Sequence, residues 1–229
     1  MNLDVRARVR VSARFTLEVS FVATPGVTIV FGESGSGKTT LLRAVAGLAL
    51  PSEGRISIGE RVLYDSASAT EVPPSRRRVG FVFQDLALFP HLSARRNIEY
   101  GLHDLSVADR RRRVEEVAES FDIGDLLERR PREISGGQRQ RVGLARTLVT
   151  NPDALLLDEP LAALDRQARE KIMADLQRWN EEHQIPVLYV THSTGEAFTL
   201  GQRVVALHDG AIVGDGAPEQ VIDQWAREH

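Results

Sequence analysis

The stretch Gly32-Glu33-Ser34-Gly35-Ser36-Gly37-Lys38-Thr39-Thr40 has the pattern G-x-x-x-x-G-K-T. Its glycines admit positive φ and let backbone N–H groups come close to an anion. Lys38 adds a point charge, and the Thr39 hydroxyl is of the type that holds Mg²⁺ beside a nucleotide's phosphates. An apolar run from Val27 to Phe31 precedes the stretch, and Leu41 to Ala46 follows it with a helical pattern. The loop therefore lies between a strand and a helix N-terminus, the setting in which this pattern predicts nucleotide binding and not a plain glycine turn.

Two further stretches carry chemistry. Ala154-Leu155-Leu156-Leu157 runs into Asp158-Glu159-Pro160, so an apolar strand ends in two carboxylates. Alone, that pair reads as a helix N-cap with a favourable dipole contact. With a phosphate loop upstream, Asp158 is expected to hold Mg²⁺ through water and Glu159 to polarise the water that attacks the γ-phosphate. The octapeptide Ile134-Ser135-Gly136-Gly137-Gln138-Arg139-Gln140-Arg141 offers a serine, two glycines and a helix start. It is a second N-terminal anion site in principle, and on its residues alone an ordinary serine cap.

The elements that must position these residues follow from periodicity. Residues 3–22 alternate apolar and polar side chains, predicting an antiparallel ribbon that turns near Ser12 to Arg14. Val27 to Phe31, Ala154 to Leu157, Val187 to Val190 and Val204 to Leu207 are short apolar runs separated by helical patterns, as in strands buried on both faces of a parallel sheet. Between Asp85 and Glu133 strand signals vanish; helices are expected near Ser93 to Tyr100, over Ser106 to Phe121 and over Asp125 to Arg130, with Pro131 closing the stretch. Tyr64 to Pro74 reads as an exposed loop, Asp209-Gly210 as a hairpin turn, and Pro218 to Arg227 as a terminal helix.

The octapeptide closely resembles the signature of ATP-binding-cassette (ABC) ATPases, with Ile134 where that family usually has leucine. Gln84 in Phe81-Val82-Phe83-Gln84-Asp85 resembles its Q-loop, Ala163-Leu164-Asp165 its D-loop, and His192 in Val190-Thr191-His192-Ser193 its switch histidine. Together with the phosphate loop and the strand-end carboxylates, these make six motifs in family order over essentially the whole chain. The resemblance implies an α/β fold: a P-loop NTPase core with a mixed parallel sheet, an N-terminal antiparallel β subdomain and an inserted helical subdomain. Residues 1–84 and 136–229 would form the core with the β subdomain, residues 85–135 the helical insert.

The resemblance also implies a head-to-tail homodimer with ATP and Mg²⁺ at the interface, each nucleotide lying between the phosphate loop of one subunit and Ser135-Gly136-Gly137-Gln138 of the other. Gln84 would touch Mg²⁺ or the attacking water, His192 the γ-phosphate, and Asp165 the opposite subunit, where Ala163 replaces a frequent serine. The adenine would stack on a ring of the ribbon; Phe15, near the turn, is the expected residue, and Phe21 falls on the core face. Stretches such as Gly54 to Gly59, Arg77 to Asp85 and Leu88 to Leu92 resemble importer ATPases for oxyanions, those for molybdate foremost, with sulfate, ferric-iron and polyamine importers close behind. The implied setting is the cytoplasmic face of the inner membrane, bound peripherally to permease subunits and served by a solute-binding protein. Leu86, Leu88, Phe89 and Leu92 are expected to form an apolar groove for the permease, or to pack the helical insert. A soluble ABC ATPase acting on nucleic acid or ribosomes is the alternative. Such importers often carry a C-terminal β-rich regulatory domain, expected to be absent from a chain that stops at His229.

Composition narrows these readings. The 229 residues are 42% hydrophobic, enough for one sizeable core, and no apolar stretch reaches membrane-spanning length. With no cysteine, disulfides and thiolate metal sites are excluded. A net charge of −3 argues against nucleic acid as a partner. The arginine runs at 76–78, 110–113 and 129–130 stand near acids and are expected to be solvated faces.

Overall fold

The structure, a computed structural model, describes residues 1–228. Two compact units divide them: residues 1–81 with 153–159 and the chain from 183 on, and residues 82–152 with 160–182.

The first unit is built on the sheet. The ribbon is β1 (Leu3–Arg10) and β2 (Thr16–Ala23), paired antiparallel with Leu3 opposite Ala23 and Arg10 opposite Thr16. One side of it is buried and the other faces solvent, which is why its sequence alternates. β3 (Gly26–Phe31) is buried along its whole length because parallel partners flank it on both sides: β9 (Pro186–Thr191) and β10 (Arg203–His208). β8 (Ala154–Asp158) lies parallel to β9 on its far side, and β11 (Ala211–Gly216) returns antiparallel from β10 through the turn at Asp209 and Gly210. Strands β4 (Glu53–Ile58), β5 (Arg61–Asp65), β6 (Thr70–Glu71) and β7 (Val79–Val82) complete the order 6-5-4-1-2-11-10-3-9-8-7.

The helix after β3, α1 (Lys38–Ala46), lays Leu41, Leu42, Ala44 and Val45 into a core shared with Leu3, Val5, Leu17, Val19 and Phe21 of the ribbon. The phosphate loop is thereby fixed at both ends, by a buried strand and a buried helix. α6 (Thr194–Leu200) and α7 (Pro218–Glu228) complete this unit.

The second unit is helical: α2 (Ala94–Glu99), α3 (Val107–Ser120), α4 (Gly136–Leu148) and nearly all of α5 (Arg166–His183). The fully buried Asn97 ties down the segment ahead of α2, donating to the carbonyls of Phe89, Leu92 and Ser93 and accepting from the Phe89 N–H. Arg146 of α4 donates to the carbonyls of Leu86 and Ala87 and lies over the Phe89 ring. The four apolar residues 86, 88, 89 and 92 are half-buried, and Phe89 stacks at a tilt on Tyr100 with centroids 4.4 Å apart.

Three expectations need correction. Residues 125–130 form no α-helix: only a single 3₁₀ turn, Gly124–Leu126, is present. The segment is too short to pay nucleation, and Pro131 holds Arg130 extended. The stretch 64–74 is not all loop, since Tyr64 and Asp65 end β5 and pair with β6; Tyr64 is buried and donates to the Pro51 carbonyl at 2.6 Å. The third concerns Arg77, which is not solvated. It is 1% exposed, with Nη1 on the carbonyls of Ala44 (3.0 Å) and Val45 (2.8 Å) and Nε on that of Val72 (2.8 Å). A cation there satisfies the orphan carbonyls and the negative dipole end of α1.

Candidate functional site

Within the first unit the phosphate loop, the end of β8 and the end of β9 converge. Gly32, Gly35 and Gly37 all have positive φ. A Cβ at Gly32 would stand 2.3 Å from the Leu207 carbonyl oxygen and one at Gly37 2.9 Å from Leu17, whereas Gly35 faces open space. The loop is thus packed from behind and free in front, where a phosphate group would approach.

Lys38 is 6% exposed and turns back over the loop, its Nζ donating to the carbonyls of Gly32 (2.7 Å) and Glu33 (2.6 Å). Burial lowers its pKa from the ordinary 10.5, with Glu159, Asp158 and Glu33 pulling the other way. Ser36 Oγ is buried and has no hydrogen-bond partner among the described residues. An orphaned donor and a desolvated ammonium around an open glycine concavity fit an anionic ligand. Glu33 and Ser34 are exposed at the loop's tip, and Thr40 is half-buried beside Thr39.

The Thr39 hydroxyl donates to Asp158 Oδ1 at 3.1 Å. Burial raises the Asp158 pKa above the ordinary 3.8, and the Thr39 bond opposes that rise. The pair is an all-oxygen donor set suited to a hard divalent cation such as Mg²⁺. Glu159 follows with φ of 45°, a left-handed conformation unusual outside glycine, and its N–H donates to the Val190 carbonyl at 3.1 Å. Its Oε1 lies 3.3 Å from Nδ1 of His192, which itself is exposed. β8 and β9 run side by side with Asp158 opposite Val190, and this register brings the Glu159 carboxylate to the histidine.

Phe15 is half-buried at the ribbon turn, its ring edge 3.3 Å from where a Gly37 Cβ would be, while Phe21 is 5% exposed within the core. Six expected site residues belong to the second unit: Gln84, Asp165 and Ser135 to Gln138. Gln84 is exposed just past β7. Asp165 is exposed and accepts from the Ala168 N–H, capping α5. Ser135 caps α4 in a complete capping box: its Oγ accepts from the Gln138 N–H at 3.3 Å, and Gln138 Oε1 accepts from the Ser135 N–H at 2.8 Å. Gly136 and Gly137 form its first turn, and Gly137 packs so closely on Ala168 that a Cβ would lie 3.0 Å from that methyl. Sequence reasoning passed over the buried side chains around His192, namely Tyr189, Thr191 and Glu196. The spacing Ser193-x-x-Glu196, a capping-box pattern, was the available signal.

Among the described residues no helix is long and apolar enough to cross a membrane. The family model described as ABC transporter matches residues 18–162. The Molybdenum import ATP-binding protein ModC 1 of Azotobacter vinelandii is 47% identical over 220 residues, 95% of this chain and 61% of that protein. The Molybdenum import ATP-binding protein ModC of Pseudomonas fluorescens is 48% identical over 191 residues, 83% of this chain and 53% of that one. The chain therefore spans little more than half to three-fifths of these relatives' lengths. A solved bacterial ABC transporter cassette in dimeric form superposes with a TM-score of 0.79 at 30% identity, covering 95% of this chain and 99% of the other. The same scores hold for that cassette in a post-hydrolysis state bound to ADP and Pi. With the P-loop NTPase architecture and the matched family model together, the chain belongs to the ABC transporter family.

Proposed function

We propose that the chain is the ATP-hydrolysing subunit of a membrane importer for molybdate or a related oxyanion. The observation that carries the hydrolytic part is the clustering, at adjacent strand ends beside the phosphate loop, of Thr39 with Asp158 and of Glu159 with His192. The likeness to molybdenum import proteins of two bacteria supports the solute class.

In this reading the loop from Gly32 to Thr40 and Lys38 hold the phosphates of ATP. Lys38 exchanges its two backbone carbonyls for phosphate oxygens, which suits a desolvated ammonium better. Thr39 and Asp158 would hold Mg²⁺, which would neutralise phosphate charge. Glu159 accepts a hydrogen bond from the attacking water and polarises it, and His192 orients Glu159 and contacts the γ-phosphate. Phe15 stacks on the adenine. Ser135, Gly136, Gly137 and Gln138 of a second copy close the site from the other side with Asp165, so the working form is a homodimer. The likeness to a dimeric cassette supports that assembly. Residues 85–135 serve as the helical insert that docks on permease subunits at the cytoplasmic membrane face, and a solute-binding protein delivers the cargo.

The test is to isolate the chain with its membrane partner and solute-binding protein and to measure ATP hydrolysis with molybdate, sulfate, ferric iron or polyamine added. Stimulation by molybdate is expected. Stimulation by iron or polyamine alone removes the oxyanion reading, and failure to co-purify with any membrane protein favours a soluble ABC ATPase.

A further inference from the structure

Glu196 is a carboxylate with 5% of its surface exposed, and the reading above gives it no part. It is the third residue of α6, whose N-cap is Ser193. In an ordinary capping box the acid at this position would reach back to the N-cap N–H. Here only half of that box forms. The Glu196 N–H donates to Ser193 Oγ at 3.3 Å, but the Ser193 N–H donates to Thr191 Oγ1 at 3.0 Å, and the Thr191 hydroxyl donates on to Glu196 Oε2 at 2.8 Å. The Tyr189 hydroxyl donates to the same oxygen at 3.0 Å. A hydroxyl has been inserted into the box, and the resulting ring of hydrogen bonds spans the backbone of His192 from Thr191 to Ser193.

The arrangement has a physical logic. A desolvated carboxylate is costly unless its oxygens accept hydrogen bonds, and here two hydroxyls supply them. With its proton committed to Glu196, Thr191 turns a lone pair toward the Ser193 N–H. The residue before His192 is then fixed by its side chain and the residue after it by its backbone. His192 has a side chain 67% exposed, so packing does not aim it. The same strand end holds Glu159, whose N–H donates to the Val190 carbonyl.

We infer that Glu196, acting through Thr191 and braced by Tyr189, is a positioning residue that directs His192 at Glu159. The inference rests on the proposed hydrolytic role of those two residues. Its test uses the full chain with Thr191→Val, Thr191→Ser and His192→Gln. The imidazole nitrogen resonances of His192 are read by NMR, assigned by their loss in His192→Gln, alongside kcat and KM for ATP. Thr191→Val is expected to displace the His192 resonances and to lower kcat about tenfold with KM held within about twofold, and Thr191→Ser to restore both. A folded Thr191→Val protein with wild-type His192 resonances overturns the inference. Where that variant does not fold, Tyr189→Phe removes one donor only, and its failure to move the same resonances overturns the inference equally. A wild-type hydrolysis rate in His192→Gln sinks the hydrolytic role of the histidine, while the resonances still decide whether Thr191 and Glu196 aim the ring.

Discussion

Two helices begin at glycine-bearing segments suited to anions, and they begin differently. α1 opens after Gly37 with no side-chain cap, so its first N–H groups are left to a ligand. α4 opens at Ser135 with a complete capping box and needs no ligand to be satisfied. Around α1 lie a buried ammonium, a buried carboxylate and an orphaned Ser36 hydroxyl; Ser135 itself is exposed and its hydroxyl is already bonded. The first segment is a receptor that carries desolvation cost until filled. The second is a finished helix end, which in the proposed dimer would meet a partner's ligand.

The contrast can be broken most severely at Lys38. Replacing it with methionine is expected to lower ATP hydrolysis about a hundred- to thousandfold, measured by phosphate release. The same variant should melt higher than wild type without nucleotide, because a buried charge whose pKa burial depresses is gone. A lower melting temperature would show that the two carbonyl bonds outweigh desolvation.

Next comes the other end of α1. Arg77→Met leaves the carbonyls of Val45 and Val72 without their donor in a buried place, while that of Ala44 keeps the Gly47 N–H, and should cost about 3 kcal/mol in denaturant unfolding. Ser135→Ala, by contrast, removes one cap and should cost only about 1 kcal/mol, yet it should weaken ATP-dependent dimer formation in sedimentation. Should Ser135→Ala dimerise with ATP as wild type does, the outward role of α4 fails.

The smallest effect sharpens the receptor side. The Asp158 pKa is raised in the fold, so ionisation costs stability that returns as pH falls through the raised value toward 3.8. Asp158→Asn should therefore melt higher than wild type at neutral pH without nucleotide, and the gap should close on acidification. A gap that is constant with pH would mean that charge is not its cause.

The sequence carried these regions unequally. The phosphate loop, β3 and the Asp158-Glu159 strand end are contiguous patterns whose period and residue types leave few alternatives, and the ribbon's alternation gave its two strands and its turn. Arg77 was hidden because its neighbours Arg76 and Arg78 are exposed, and a three-residue run has no period to say which member turns inward. The Tyr189-Thr191-Glu196 set was hidden because it is assembled across a strand, a turn and a helix from common residue types. At 125–130 helix formers were present, but a short segment before proline could not sustain a helix.

The most direct measurement compares Glu159→Gln with wild type for ATP hydrolysis, nucleotide binding and particle mass. The account predicts that the variant binds ATP as wild type does, loses turnover and accumulates as a dimer in ATP. An unchanged hydrolysis rate would contradict the role given to Glu159 and the hydrolytic site built around it.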